Sequence, residues 1–190
     1  MSKVSLQVKG ITPAELIKRV EDAAKADVLV GVPESTAQQR QGGNGKINNA
    51  MLAAIHEAGA PSRNIPSRPF MAPGIERVKD RLFSLFTAAA ESIISGGDTM
   101  PYLERIGKDA RDSIRGYFTA DNGWKPLSAK TIVRRAYNRL ADNVSFIRAS
   151  KQRRFKMLMK EVQRQGFQRP LVDKGDLRRS ITYVIEERDK

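Results

Sequence analysis

An α+β fold, with a small sheet packed on long amphipathic helices, is what this sequence predicts, and three observations predict it. Residues 75–93 and 103–117 place apolar side chains at spacings of three and four, the mark of helices that bury one face. VSLQV at 4–8 and VLVGV at 28–32 are short and β-branched, and Ile181, Tyr183 and Ile185 alternate near the end of the chain, as half-buried strands do. Between these runs stand proline- and glycine-rich segments that no helix or central strand accommodates. The length of 190 residues suits one domain, 1–190, with a substantial core.

In chain order, Val4, Leu6 and Val8 mark a first strand, and Thr12, Pro13 and Glu15 mark a helix start, because Thr caps free amides and Pro is tolerated in the first turn. Leu16, Ile17, Val20, Ala23 and Ala24 form the apolar face of that helix, and 28–32 is the second strand. Residues 33–46, PESTAQQRQGGNGK, lack periodicity and read as a flexible loop. GGNGK is not a phosphate loop: the glycine required five positions before Gly45 is Arg40, and Ile47 replaces the Ser or Thr that would hold magnesium.

A helix over 47–58 directs Met51, Leu52 and Ile55 inward and ends at Gly59, a C-cap residue. His56 and Glu57 in its last turn resemble the start of a zinc-protease helix, but the second histidine is absent and position 60 is Ala. From 56 to 74, HEAGAPSRNIPSRPFMAPG, four prolines (Pro61, Pro66, Pro69, Pro73) make a stiff, extended connector that is not a regular helix. Ile65, Phe70 and Met71 are its apolar anchors, with Arg63 and Arg68 its cations. Such a segment either holds side chains against a neighbour at low entropic cost or plugs its own core.

One helix of about five turns follows, with Ile75, Val78, Leu82, Leu85, Phe86, Ala89 and Ile93 inward. Gly96 and Gly97 end it, Asp98 or Thr99 caps the next, and Leu103, Ile106, Ala110, Ile114 and Tyr117 continue the pattern, predicting an antiparallel pair. TADNGWKPLS at 119–128 is a second punctuated segment whose only tryptophan, Trp124, is either a core anchor or an interface hot spot. Ser128 caps a helix to about 140. Residues 142–166 form a basic helical insertion, with Phe155, Leu158, Met159 and Val162 on one side and Lys151, Lys156, Lys160 and Arg164 around it. A short helical turn near Leu177 leads into a terminal strand that joins the amino-terminal ones.

Composition removes most chemistries. Cysteine is absent and His56 is the sole histidine, which excludes disulfides, thiolate catalysis and cysteine-ligated metal and leaves little for any other metal site. Neither a cofactor nor a metal is expected, and no nucleophile–base pair supports an enzyme. No run approaches the roughly 18 apolar residues of a membrane span. Lys3, Lys9 and Glu15 interrupt the first twenty residues, so these lack the apolar core of a secretory signal, and folding in a cytoplasm is expected. The net charge of +13 points to an anionic partner. Residues 134–169 hold eleven cations against two acids, a local net of +9.

Three separated segments then line up. HEAGAPSRNIPSRPFMAPGI resembles the "histidine, acidic residue, glycine, then I-P-x-R-P-F" segment of tailed-phage virion morphogenesis proteins. GWKPLSAKTIVRR is similar to their "W-x-P-L-x-x-x-T" segment, and RPLVDKGDLRRSI to their closing "L-x-x-x-G-x-L-x-x-S-I", with Lys174 where Thr is common. The group is that of tail-completion and head–tail joining proteins, comprising Mu G-like virion morphogenesis proteins and the related HK97 gp10-like neck proteins. Order and approximate spacing match over residues 47–187.

The resemblance implies a small α+β protein without catalytic activity that forms a homo-oligomeric ring of six or twelve copies. That ring would sit at the neck or tail end of the virion, after assembly in the host cytoplasm. Portal, adaptor or tail-tube proteins would be its partners, with passing DNA as a further contact. Ile65, Pro66, Arg68, Pro69, Phe70, Trp124, Leu127, Gly175, Leu177 and Ser180 would hold the fold or the ring contacts. The residues expected at an oligomer or partner interface are Ile65, Arg68, Phe70 and Trp124, together with Lys151, Arg154, Lys156 and Lys160 of the basic insertion, which is longer and more basic than the resemblance implies. The competing expectation is a basic nucleic-acid-binding protein, although Tyr137, Phe146, Phe155 and Phe167 supply few aromatics for base stacking.

Overall fold

The computed structural model describes residues 11–23, 25–33, 47–164, 170–171 and 175–187. Over these the protein is a mixed helix-and-sheet molecule, with nine helices and one two-stranded antiparallel sheet, the α+β class that the periodicities predict. The strand expected at 4–8 and nearly all of the loop expected at 33–46 lie outside the described residues. Two compact units make up the chain, each from stretches distant in sequence: Met1–Gly31, Met71–Ile114 and Ile181–Lys190 form the first, Val32–Phe70 and Arg115–Ser180 the second.

In the first unit, α1 (Pro13–Ala23) starts with a reciprocal cap. The Thr12 hydroxyl accepts the Glu15 amide at 3.2 Å and the Glu15 carboxylate accepts the Thr12 amide at 3.2 Å, satisfying two donors that every helix start leaves open. Hydrogen bonds from Thr12, the backbone amide foremost, hold the Glu15 carboxyl below its ordinary range. Strand β1 (Ala26–Gly31) pairs antiparallel with β2 (Thr182–Glu187), Val28 opposite Ile185 and Val30 opposite Tyr183. Ala26, Val28, Val30 and Ile185 pack on a buried cluster of Leu82, Leu103, Ile106 and Ala110. The terminal strand therefore joins an amino-terminal one, and the sheet rests on the long helices, as predicted.

Three helices carry that cluster: α3 (Met71–Glu76), α4 (Lys79–Ser95) and α5 (Met100–Tyr117), the last belonging to this unit as far as Ile114. The single helix expected over 75–93 instead begins at Met71 and breaks at Arg77 and Val78. Pro73 lies in the first turn of α3, where a missing amide costs nothing. At the break the Ser113 hydroxyl donates to the Gly74 carbonyl at 2.6 Å. In a continuous helix that carbonyl would accept the Val78 amide, which bonds Ile75 O at 3.0 Å instead. Leu82 and Ala89 form the inner stripe of α4, whereas Phe86, expected inward, is half exposed and Phe83 is 72% exposed. Gly96 closes α4 in the left-handed region, Asp98 accepts the Met100 amide at 2.9 Å to start α5, and Arg81 reaches Asp109 at 2.7 Å.

The second unit contains α2 (Asn49–Ala58), α6 (Ala129–Leu140), α7 (Val144–Ile147), α8 (Lys151–Val162) and α9 (Asp176–Ser180). Asn48, Ser128, Asn143 and Ser150 each accept an amide from the first turn of the helix that follows. Met51, expected inward on α2, is exposed. The basic stretch 142–166 is not one helix. Ser150 caps α8 afresh after α7 ends, and the Arg154 guanidinium donates to the Phe146 carbonyl at 3.0 Å and to the Ile147 carbonyl, holding the end of α7.

Helix α8 packs on α6 and α7, and only part of the expected apolar face turns inward, Leu158 and Val162 being half-buried. Phe155 is 63% exposed and Met159 is exposed, whereas Glu161 is 7% exposed. Its carboxylate accepts Arg164 at 3.2 Å and faces Arg139 on α6 at 3.7 Å. Glu161→Ala leaves those two cations around an empty position. Because both guanidiniums stay half in water, the expected cost is about 1–2 kcal/mol rather than the 3–5 of a fully buried pair, read as a fall in the midpoint of urea unfolding.

Candidate functional site

The second unit holds the whole of the second signature segment, the first as far as Phe70 and the third as far as Ser180, and their first use is structural. At the end of α2 the Glu57 carboxylate accepts the Phe70 amide at 2.9 Å, the Glu57 carbonyl accepts the Ser67 hydroxyl at 2.7 Å, and the His56 carbonyl accepts the Arg68 amide at 2.7 Å. The I-P-S-R-P-F run is thus laid along the end of α2. Gly59 permits this approach, with φ of 79° and ψ of 172° and a position where a Cβ would sit 2.8 Å from the Ser67 amide nitrogen. The extended connector expected over 56–74 is extended only in part. Residues Pro61–Arg63 form a 3-10 turn, Asn64 is left-handed at φ 54°, and Ala60 and Ile65 exchange two backbone hydrogen bonds of 2.9 and 3.1 Å. From Met71 the chain is helical.

Phe70 ends the run fully buried, its ring 4.8 Å from that of Phe118. Trp124 meets Phe118 edge-on at 6.0 Å and Tyr117 at 5.7 Å. Asn122 fixes the approach of that loop, donating to Tyr117 O at 3.0 Å and accepting the Trp124 amide at 3.2 Å. Two of the residues expected at an interface therefore belong to this aromatic cluster. For Phe70 the interface expectation is corrected: a ring without exposure contacts its own core. Trp124 is half-buried and anchors its loop.

Arg68 and the rest of the three signatures line a polar cavity of about 240 Å³. Its walls are His56 and Arg68 from the first segment, Leu127, Thr131, Arg134 and Arg135 from the second, and Leu171, Gly175, Asp176 and Leu177 from the third, with Leu52 and Asn138 completing it. Thr131, Arg134, Arg135 and Asn138 stand at i, i+3, i+4 and i+7 of α6, one face of one helix. Arg68 Nε is buried without a hydrogen-bond partner, and burial pushes this guanidinium down from its ordinary value. Arg134 is exposed, with no ion pair among the described residues. Asp176, the acid in this wall, is already paired with Arg179. Among the described residues, Arg68 and Arg134 thus line this wall without an ion pair, beside Arg135 and a carboxylate that is already paired. The i, i+3, i+4, i+7 polar stripe was present in TIVRRAYN, but nothing local to α6 marks Arg68 as its partner.

The expected basic site on α8 is less coherent. Lys151, Lys156 and Lys160 are exposed, and Lys151 and Lys156 border an open depression with Ser150, Gln152, Arg153 and Phe155. Arg154 is instead committed to the α7 carbonyls. Ile65 is half-buried in its bridge to Ala60. Among the described residues no cluster of acids and histidine has the makings of a metal site, and no helix is long and apolar enough to cross a membrane. Comparison with protein-family models, with curated proteins and with solved structures finds no match for this chain.

Proposed function

We propose that the chain is a structural component of a tailed-phage virion, a neck-ring, tail-completion or tail-terminator protein that assembles as a homo-oligomeric ring and joins head to tail. The observation that carries this reading is that residues from each of the three segments of the resemblance, up to 121 positions apart from His56 to Leu177, line one cavity within one compact unit. Chance matches scattered along a chain have no reason to converge. Phe83 at 72%, Ile17 at 59% and Phe86 at 50% exposure on the first unit are apolar side chains that another copy could bury. A closed ring needs one patch to bind a different patch on the next copy. Portal, adaptor or tail-tube proteins are the partners of this reading. Mass photometry of the purified chain tests it: discrete six- or twelve-fold species are expected, alone or on addition of the adjoining neck protein. A strict monomer under both conditions contradicts it.

A second reading, nucleic-acid binding, is favoured by the exposed Lys151, Arg153, Lys156 and Phe155 around one open depression at the start of α8. Neutralised phosphates release counterions, so duplex DNA affinity should fall by about 0.9 log units per contact for each tenfold rise in salt. Absence of binding in a low-salt filter assay removes DNA as the main partner.

A further inference from the structure

We propose that the cavity walled by Arg68, Arg134 and Arg135 is a seat for one oxyanion group, a phosphate or carboxylate. This inference stands on the geometry of the second unit and holds whether or not the chain forms a ring.

Charge and hydrogen bonding select the occupant. Among the described residues, Arg68, with its unpartnered Nε, and Arg134, with no ion pair, line the cavity beside Arg135, Thr131 and Asn138, while the carboxylate in its wall, Asp176, is engaged by Arg179. Guanidinium offers planar, paired N–H donors that match the oxygens of carboxylate and phosphate. A buried Arg Nε without an acceptor costs stability unless a ligand supplies one, and Arg68 has such an atom in this wall. Size narrows the class further. The cavity, at about 240 Å³, is below the roughly 300–1,000 Å³ of sites that enclose whole drug-sized ligands, so it admits a single anionic group and not a nucleotide. Its position is also fixed: the His56 carbonyl holds the Arg68 amide, and Ser128 caps the helix that carries Arg134 and Arg135.

Phosphate and carboxylate sources are separated by probe. Thermal unfolding followed by Trp124 fluorescence is measured in low-millimolar sodium phosphate and, separately, sodium acetate, each against sodium chloride at equal ionic strength. A saturable rise in Tm of several degrees is expected at about a hundredfold excess over Kd. Phosphate above acetate assigns a phosphoryl group, and the reverse or equality assigns a carboxylate such as an acidic side chain of a partner. Arg134→Ala, an exposed position, is expected to weaken binding at least about tenfold, the worth of one charge-assisted hydrogen bond. Arg68→Met is expected to abolish the response and to raise Tm in the absence of anion, because it removes the unpartnered buried donor. If that variant does not fold, Arg134→Ala alone decides. Phosphate also stabilises proteins generally by exclusion from their surfaces, but that effect neither saturates nor depends on Arg134. A response absent in the parent chain, or undiminished in Arg134→Ala, overturns the proposal.

Discussion

Phe70→Ala is expected to lower the stability of the second unit by about 3–5 kcal/mol, the range for removing a buried aromatic ring and leaving its cavity. The ring is wholly inaccessible and lies 4.8 Å from Phe118, whose other aromatic neighbour is Trp124 at 6.0 Å. A hole at Phe70 therefore loosens the support of the tryptophan itself. That geometry supplies the readout, because Trp124 is the only tryptophan of the chain. The Trp-detected transition should move down by roughly 10 °C, taking about 2–4 °C per kcal/mol for a chain of this size. Tryptophan emission of the folded variant should also shift to the red as water reaches the ring. A transition within about 1 °C of the parent's would mean that the cluster is not a core.

Gly59→Ala is expected to cost about 3 kcal/mol, from two sources that act together. At φ 79° and ψ 172° the residue occupies a region essentially closed to side chains, worth about 1–3 kcal/mol. The added methyl would also lie 2.8 Å from the Ser67 amide nitrogen and 3.2 Å from Ile65 O, and backbone atoms cannot swing away as a flexible side chain does. Relief requires the 65–70 run to lift from the end of α2, breaking the Glu57 to Phe70 and His56 to Arg68 hydrogen bonds. The loss should appear as earlier amide exchange at Arg68 and Phe70 as well as a lower Tm. Unchanged protection of those amides would contradict the clamp.

These two positions show what was legible in the sequence. Glycine after His-Glu-Ala, and phenylalanine after arginine-proline, marked a segment with unusual backbone demands. The demands are met by short hydrogen bonds along 13 residues or fewer. Caps were legible for the same reason: Thr12 and Ser128 act on amides three residues away. Strand pairing could be read in part, since Val28, Val30 and Ile185 announce a face although register depends on both strands.

Long-range events were not legible. The break at Arg77 and Val78 follows Gly74, whose carbonyl accepts a serine hydroxyl 39 residues away, and no periodicity within 75–93 anticipates it. Glu161 is interior because Arg139 lies on the adjacent helix, whereas local spacing favours Phe155 and Met159 for that place. Phe86 satisfies the helical pattern yet is half exposed, although Leu82 and Ala89 on the same stripe are buried. The same limit hid the cavity. Arg68 and Arg134 are 66 positions apart in sequence, and each alone reads as a surface cation.

The proposed place at the head–tail junction is tested by electron microscopy of phage particles assembled in cells that express this chain, labelled at an exposed site. Label is expected only at the head–tail junction or the end of the tail, in six or twelve copies per particle, and particles lacking the chain should have heads and tails unjoined. Intact, infectious particles without the chain, or label spread through the DNA-filled head, would contradict it.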